Sequence, residues 1–308
     1  MSFSTDIKQE IANNDLNKCC IRAQLSAIIQ LCSTLNISKE GLALSIKTEN
    51  ATVAKRIYKL IKELYEVDVD LSIIKKMNLK KNNIYHLKVR SKATMILEDI
   101  GLWSSRALLE RPLKKIVSKE CCARAYLAGA FMATGSCNTP KKSDYHLEVV
   151  ANNEQLAHFI VENMERFFIH AKIIKRRNNY VVYVKMADKI ADFLRCVGAS
   201  ESLLKFEDIR ISRDFTNSLT RLDNCEVANE IKSQKAAKAQ LEDIQKIADQ
   251  LDRIDTKLQE VARLRLANPE MSLNELCAEY EKNYGVAISK SGIKHRFVKI
   301  AQLANKEN

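Results

Sequence analysis

The sequence predicts an α+β fold in which one unit of about a hundred residues occurs twice and an all-α domain follows it. Three observations carry this expectation. Residues 120–136 (ECCARAYLAGAFMATGS) are echoed by residues 18–33 (KCCIRAQLSAIIQLCS), so that Cys121, Cys122, Arg124, Ala125 and Leu127 follow Cys19, Cys20, Arg22, Ala23 and Leu25 at a constant offset of 102 (121 minus 19). The echo then continues, as two unrelated helices would not. Leu44, Asn50, Ala54 and Ile57 recur as Leu147, Asn153, Ala157 and Ile160, and the stretches 82–85 and 96–101 recur at 178–181 and 193–198. A helix is expected from about Val227, finally, and its apolar spacing becomes regular from Ile244, with only helices after it.

Taken in order, residues 4–12 read as a short capped helix, with Asp6 and Glu10 near its start, packing on the first repeat. Residues 17–35 place Leu25, Ile28, Ile29 and Cys32 on one helical face. Residues 42–47 alternate as a strand, with room for another between Asn36 and Gly41. Thr48 or Asn50 caps a helix carrying Val53, Ile57, Leu60, Ile61 and Leu64. Strands at 67–75 and 84–90 and a short helix from Ala93 to Gly101 complete the unit. The second copy follows the same order, with a helix at 121–134, a strand at 145–151, a helix at 154–168, strands at 171–175 and 180–185, and a helix closing near Gly198.

The expected domains are therefore residues 1–102 (first repeat with its N-terminal helix), 103–119 (a linker, too long for a tight turn), 120–205 (second repeat), 206–255 (a linker of mixed charge leading into a connecting helix from about Val227) and 256–308 (helical domain). In the last of these, a helix stops before Asn268-Pro269, because a residue preceding proline avoids the helical region. Ser272-Leu273-Asn274-Glu275 is a capping box, Leu273, Leu276, Cys277 and Tyr280 form an apolar stripe, and Tyr284-Gly285 ends the helix. The final helix starts at Ser289 and turns Ile293, Phe297, Ile300 and Ala301 inward.

Composition narrows the function. A formal charge of +12 and a pI near 9.2 favour a polyanionic partner, and 46% hydrophobic content supplies a core. No apolar run approaches the roughly 18 residues that a spanning helix needs, and no signal peptide is visible, so a cytoplasmic protein with no membrane partner is expected. Nine cysteines contain no CxxC pair. Neighbouring helical side chains lie about 100° apart, so one Cys-Cys pair is poorly placed to supply two ligands to one ion; structural thiols, with no metal and no cofactor, are expected. His86, His146, His158 and His170 are scattered singly.

Basic residues gather in two places. On the final helix, Ser289, Lys290, Ser291, Lys294, His295, Arg296 and Lys299 stand away from the apolar stripe, and residues 286–306 contain no acid. A three-helix unit ending in such a helix reads as a helix-turn-helix whose last helix enters a major groove; the alternative is a small helical cap for the connecting helix. Lys290, Ser291, Lys294 and His295 are expected at base edges, and Lys299 and Arg296 at phosphates. On the strands, Lys75, Lys76, Lys80, Lys81, Lys88 and Arg90 recur in kind as Lys172, Lys175, Arg176 and Arg177. These form either an auxiliary phosphate-binding surface or an ordinary solvated or protein-facing one.

Leu127-Ala128-Gly129-Ala130-Phe131-Met132-Ala133-Thr134-Gly135 resembles the LAGLIDADG helix of homing endonucleases, in which two such helices pack at the centre of a pseudo-twofold pair of αββαββα units. The small Ala27, Gly129, Ala133 and Gly135 would let two helix backbones approach. The eighth motif position, where the resemblance implies a metal-binding carboxylate, is Thr134 here and Cys32 in the first copy. Residues 16–39 and 123–143 hold no Asp or Glu, so the alternative of a metal-dependent nucleic-acid enzyme of homing-endonuclease descent lacks its hard oxygen ligands.

CCARAYLAGAFMATGSCNTPKKSDYHLEVV, TENATVAKRIYKLIKELY, LKKNNIYHLKVR, FEDIRISRDFTNSLTRLDNCEVAN and ISKSGIKHR together look like the WhiA family of bacterial DNA-binding regulators over essentially the whole chain. That resemblance implies a non-catalytic LAGLIDADG-like domain and a C-terminal helix-turn-helix. It also implies double-stranded DNA and other regulatory proteins as partners, nucleoid association, and a part in transcription regulation, cell division and chromosome segregation, with sporulation in some relatives.

Overall fold

The computed structural model describes residues 2–38, 41–75, 83–104, 107–141 and 144–305, and the chain divides into two compact units, Met1–Arg213 and Asp214–Asn308. In the first unit, α1 (Phe3–Asn13) precedes α2 (Lys18–Cys32), β1 (Ser33–Ser38), β2 (Gly41–Thr48), α3 (Ala51–Tyr65), β3 (Asp70–Lys75), β4 (Asn83–Val89) and α4 (Ala93–Asp99). The hairpin β5 (Trp103–Ser104) and β6 (Ala107–Leu108) leads to the second copy: α5 (Glu120–Thr134), β7 (Gly135–Cys137), β8 (Leu147–Ala151), α6 (Glu154–Glu165), β9 (Lys172–Arg176), β10 (Asn179–Val184) and α7 (Ala187–Cys196). The two four-stranded sheets are antiparallel and share one topology, β1-β2-β4-β3 and β7-β8-β10-β9. The duplicated α+β architecture expected from the repeat is present.

At the centre, α2 and α5 make the most extensive contact between any two helices of this unit. They come close because position 129 has no side chain: a Cβ built there would lie 2.5 Å from the carbonyl oxygen of Gln24 and 3.1 Å from the Cβ of Ala27. Ala27 is the repeat equivalent of Gly129 at the same offset of 102 (129 minus 27), so the twofold passes between them. Each helix gives way to a strand without a loop, at the equivalent positions Ser33 and Gly135. The expected helix at 17–35 therefore ends early, because Leu35 continues the apolar pattern after the backbone has become extended.

Two connections differ from expectation. Helix α1 spans both copies instead of packing on the first alone. Ser4 Oγ donates to the carbonyl of Cys137 and accepts from its N–H (both 2.9 Å), filling the free edge of β7, while α1 also lies against α3. Residues 103–119 are not a free linker: the β5–β6 hairpin is followed by a 3₁₀ turn at Lys114–Val117 with Ile116 and Val117 buried. The Glu110 carbonyl there accepts from Gln30 Nε2 (2.9 Å) and Asn153 Nδ2 (3.0 Å), one residue from each repeat.

Helix α8 (Ser200–Lys246) also departs from the sequence reading, since residues 206–224 are helical and not an irregular linker. Most of their side chains are exposed, and a helix solvated on most faces has little apolar periodicity to detect. Its start is fixed by Glu10, whose carboxylate accepts from the backbone N–H groups of Glu201 (2.6 Å) and Ser202 (3.0 Å), where a negative charge complements the helix dipole.

The second unit contains the later part of α8, a 3₁₀ turn at Ala248–Arg253, α9 (Thr256–Ala267), α10 (Leu273–Tyr284) and α11 (Lys290–Ala304) around a core that includes Ile244, Val261, Leu276, Ile293, Phe297 and Ile300. The capping box forms as expected, with Ser272 Oγ accepting from Glu275 N–H and the Glu275 carboxylate from Ser272 N–H. Gly285, at φ 69°, ends α10 in the left-handed region.

Replacing Gly by Ala inside a helix ordinarily stabilises it by about 0.8–1 kcal/mol. Gly129→Ala is expected to do the opposite, costing about 1–3 kcal/mol as α2 and α5 are forced apart; urea unfolding of the full chain measures the sign.

Candidate nucleic-acid interface

Helix α11 starts at Ser289, whose hydroxyl accepts from Gly292 N–H at 3.1 Å and lies 3.0 Å from Ser291 Oγ. Ile293, Phe297 and Ile300 are buried, and Ser289, Lys290, Ser291, Lys294, His295 and Lys299 are exposed. At about 100° per residue, Ser291 and His295 lie opposite the buried stripe, Lys294 and Lys299 flank them on either side, and Lys290 is nearer the core. Val298, 45% exposed, shares the central position. It was missed in the sequence, although its spacing from Ser291 and His295, i+7 and i+3, is a legible signal. The free N–H groups of the first helical turn add a positive field to the same end.

Arg296, expected at phosphate, is engaged elsewhere. It is half-buried, its Nη1 donates to Tyr280 Oη at 2.8 Å, and the guanidinium lies 5.1 Å from the Tyr280 ring centroid. Tyr280 in turn donates to Glu260 Oε2 at 2.5 Å, so the chain α9–α10–α11 is tied by one polar relay. Arg265 is a second tie, 1% exposed. It donates to Gln240 Oε1 (3.0 Å) and the Met271 carbonyl (2.5 Å), with its guanidinium 5.6 Å from the Phe297 ring.

Strand register sorts the basic residues of the sheets. In the second copy, Lys172 and Arg176 lie opposite Tyr183 and Asn179 on the face turned away from the core, and Arg177 is exposed in the adjoining turn at φ 57°. Lys175 belongs to the other face, 5.8 Å from the Tyr180 ring. In the first copy, Lys88 pairs with Asp70 across β3 and with Ser45 across β2, and Arg90 bonds Asp70 at 3.0 Å. Residues 71–97 carry only one kind of charge, and pairing brings Asp70 of β3 beside that basic run. Lys47, not singled out in the sequence, shares the face with Lys88. Burial and then these two lysines lower the pKa of His86, which bonds Ser45 Oγ and carries little charge at neutral pH. Lys75 is exposed on the opposite face, and Lys76, Lys80 and Lys81 lie outside the described residues.

The C-terminal ends of α2 and α5 carry the eighth motif positions. Thr134 Oγ1 donates to the Val150 carbonyl at 2.7 Å, which commits it to β8. Burial pushes the Cys32 thiol up to about 11, against a partial opposing pull from the Lys8 ammonium, so it is a neutral thiol at pH 7. Lys8, on α1, is half-buried beside it and lies 5.9 Å from the Phe131 ring.

The opposite ends of the same helices bring four cysteines together. The Sγ atoms of Cys19, Cys20, Cys121 and Cys122 all lie within 4.8 Å of one another, at 3.9 Å within the first pair and 4.0 Å within the second. Burial, reinforced by the neighbouring sulfurs, raises the Cys20 thiol and pushes that of Cys122 up to about 12. For Cys19, burial is outweighed by hydrogen bonds from Cys122 and Cys20 and by the Lys119 ammonium, which lower it. The two Cys-Cys pairs, about a hundred residues apart in sequence, are brought together by the contact between α2 and α5.

The fold thus defines a class of protein: a duplicated LAGLIDADG-like domain with neutral side chains at its motif ends, on one chain with a helix-turn-helix domain. Family models for the WhiA N-terminal LAGLIDADG-like domain, the WhiA LAGLIDADG-like domain and the WhiA C-terminal HTH domain match residues 18–103, 123–216 and 219–304. The chain is 44% identical over 307 residues to the "Probable cell division protein WhiA" of Bacillus pumilus, covering 99% of this chain and 96% of that one. It is 41% identical over 307 residues to the protein of the same name from Bacillus subtilis, with the same coverage. Among solved structures, full-length DUF199/WhiA from Thermatoga maritima superposes with a TM-score of 0.59 at 22% identity, covering 99% of each chain. The chain belongs to the WhiA family.

Because Arg265 satisfies carbonyls at the end of α9 while packing on Phe297, Arg265→Met is expected to destabilise the second unit by about 2–4 kcal/mol. Hydrogen exchange of the α9–α11 amides should show it, with α2 and α5 unchanged.

Proposed function

We propose that this protein is a non-catalytic, sequence-specific DNA-binding protein that regulates transcription in cell division and chromosome segregation, working in the cytoplasm at the nucleoid. The observation that carries the reading is α11: a buried apolar stripe anchors the helix, and the opposite face presents Ser291, His295 and Val298 between Lys294 and Lys299. A major groove accepts such a helix, with Lys290, Ser291, Lys294 and His295 reaching base edges, Val298 meeting a thymine methyl, and Lys299 at a phosphate. Lys172, Arg176 and Arg177 offer weaker, sequence-independent phosphate contacts. The relatives' name supports the cell-division part of the reading.

A non-enzymatic role is supported by the motif ends. Phosphodiester hydrolysis on this scaffold needs hard anionic ligands for divalent cations. The two positions instead offer a hydroxyl already donating to a carbonyl and a protonated thiol beside an ammonium. Supercoiled plasmid incubated with the protein and Mg²⁺ or Mn²⁺ should remain intact; nicking that persists through stringent purification and vanishes in a variant of the motif ends would defeat the reading.

The base-reading assignment is tested on cognate and scrambled duplexes at two salt concentrations. Lys299→Ala should weaken both duplexes alike and reduce the slope of log affinity against log salt by about 0.9. His295→Ala should cost about 1–3 kcal/mol on the cognate duplex and little on the scrambled one; equal losses on both would refute its role.

A further inference from the structure

We propose that Cys19, Cys20, Cys121 and Cys122 form a tetrahedral thiolate site for one zinc-type divalent ion, which clamps the two repeats together at the start of α2 and α5. With a Zn–S bond of about 2.3 Å, the edge of a regular tetrahedron of sulfurs is about 3.8 Å. The two intra-pair separations, 3.9 Å and 4.0 Å, match that edge, and every other separation is within 4.8 Å, so small side-chain rotations close the set. No other group of three or more His, Cys, Asp or Glu side chains among the described residues is placed to hold an ion.

The chemistry of the ligand set selects the ion. Four soft sulfurs favour zinc or a similar thiophilic metal over Mg²⁺ and Ca²⁺, which take oxygen. The sulfurs lie too close together to frame a four-iron cluster, whose own sulfides hold the ligating cysteines further apart. Disulfides within a pair are disfavoured too, because adjacent Cα atoms are about 3.8 Å apart, shorter than the span an unstrained disulfide takes. A disulfide between the helices is the competing product.

The surroundings suit an anionic centre. Four thiolates around a divalent cation leave two negative charges. The pairs occupy the first turns of α2 and α5, so two helix dipoles present their positive ends to them. Lys119 is the N-cap residue of α5, two positions before Cys121. Arg22 and Arg124 follow one turn on, and the nearby acids are already committed to them, Asp99 to Arg22 at 2.7 Å and Glu120 to Arg124 at 2.6 Å. Metal binding replaces four S–H bonds with four metal–sulfur bonds and releases four protons to solvent; no electrons are exchanged.

The test uses the full chain, purified without a metal-binding tag in the presence of a reductant. Elemental analysis should give about one zinc or iron per chain. Replacement by Co²⁺ should produce intense sulfur-to-cobalt charge-transfer absorption in the near ultraviolet and the visible bands of a tetrahedral ion. Cys121→Ser, at the most exposed of the four positions, should lose most of the bound metal and the charge-transfer band while keeping its circular dichroism spectrum. A Cys32→Ser, Cys225→Ser, Cys277→Ser triple variant should keep both. A strong chelator should lower the melting temperature of the parent chain but not of Cys121→Ser. The proposal fails if the reduced, folded protein takes up neither Zn²⁺ nor Co²⁺, if Cys121→Ser binds as the parent does, or if mass analysis finds an α2–α5 disulfide in place of metal.

Discussion

The close approach of α2 and α5 is the constraint on which the first unit depends. It exists because residue 129 contributes no Cβ toward the Gln24 carbonyl. Once those backbones meet, equivalent residues of the two repeats must face one another along the seam, and each sheet is hung from a helix end through a junction with no slack. The same contact accounts for what happens at either extremity. Cysteine pairs far apart in sequence converge at one end, and Cys32 and Thr134 come to the other. Gln24 is itself held in place, since its side chain accepts from the buried Arg56, which also donates to the Asn14 carbonyl. A single polar junction thus joins the end of α1, the middle of α2 and the first turns of α3 behind the seam.

The second unit solves a different problem with different means. Three short helices bury little apolar surface, and long cationic side chains supplement the core. Arg265 collects carbonyls from the turn after α9, and Arg296 bonds the phenol of Tyr280. Both arginines are spent on holding α11 at a fixed angle, whereas Lys290, Lys294 and Lys299 stay exposed. A simple count of basic residues on the last helix therefore overstates how many of them are exposed.

How much of this was legible in the sequence depended on whether the signal was local. The duplication could be read because Cys-Cys-Arg-Ala and Leu recur at one offset, and α10 because Ser272 and Glu275 stand at the spacing of a capping box. The helix-turn-helix placement of Ser289 followed from its position ahead of an apolar stripe. Features created by pairing were hidden. Asp70 lies outside the basic run but opposite Lys88 by register, Arg296 meets Tyr280 only after α10 and α11 pack, and the four cysteines assemble only across the twofold. The first part of helix α8, residues 206–224, escaped notice for the reverse reason: a rod wetted on most sides buries no stripe, so nothing in its pattern separates it from irregular chain.

The state of the motif ends also bears on what two substitutions there could achieve. The surroundings of positions 134 and 32 suit the neutral side chains they hold. A carboxylate at position 134 would lose the hydroxyl bond to Val150 and face that carbonyl as a repelling acceptor, while one at position 32 would be neutralised by Lys8 before any cation arrived. Helix α1 carries that lysine and also stitches β7 through Ser4 and starts α8 through Glu10, so it cannot be withdrawn without unfastening both β7 and α8. Placing acidic ligands at these two positions would therefore require changes in α1 as well as at the motif ends themselves.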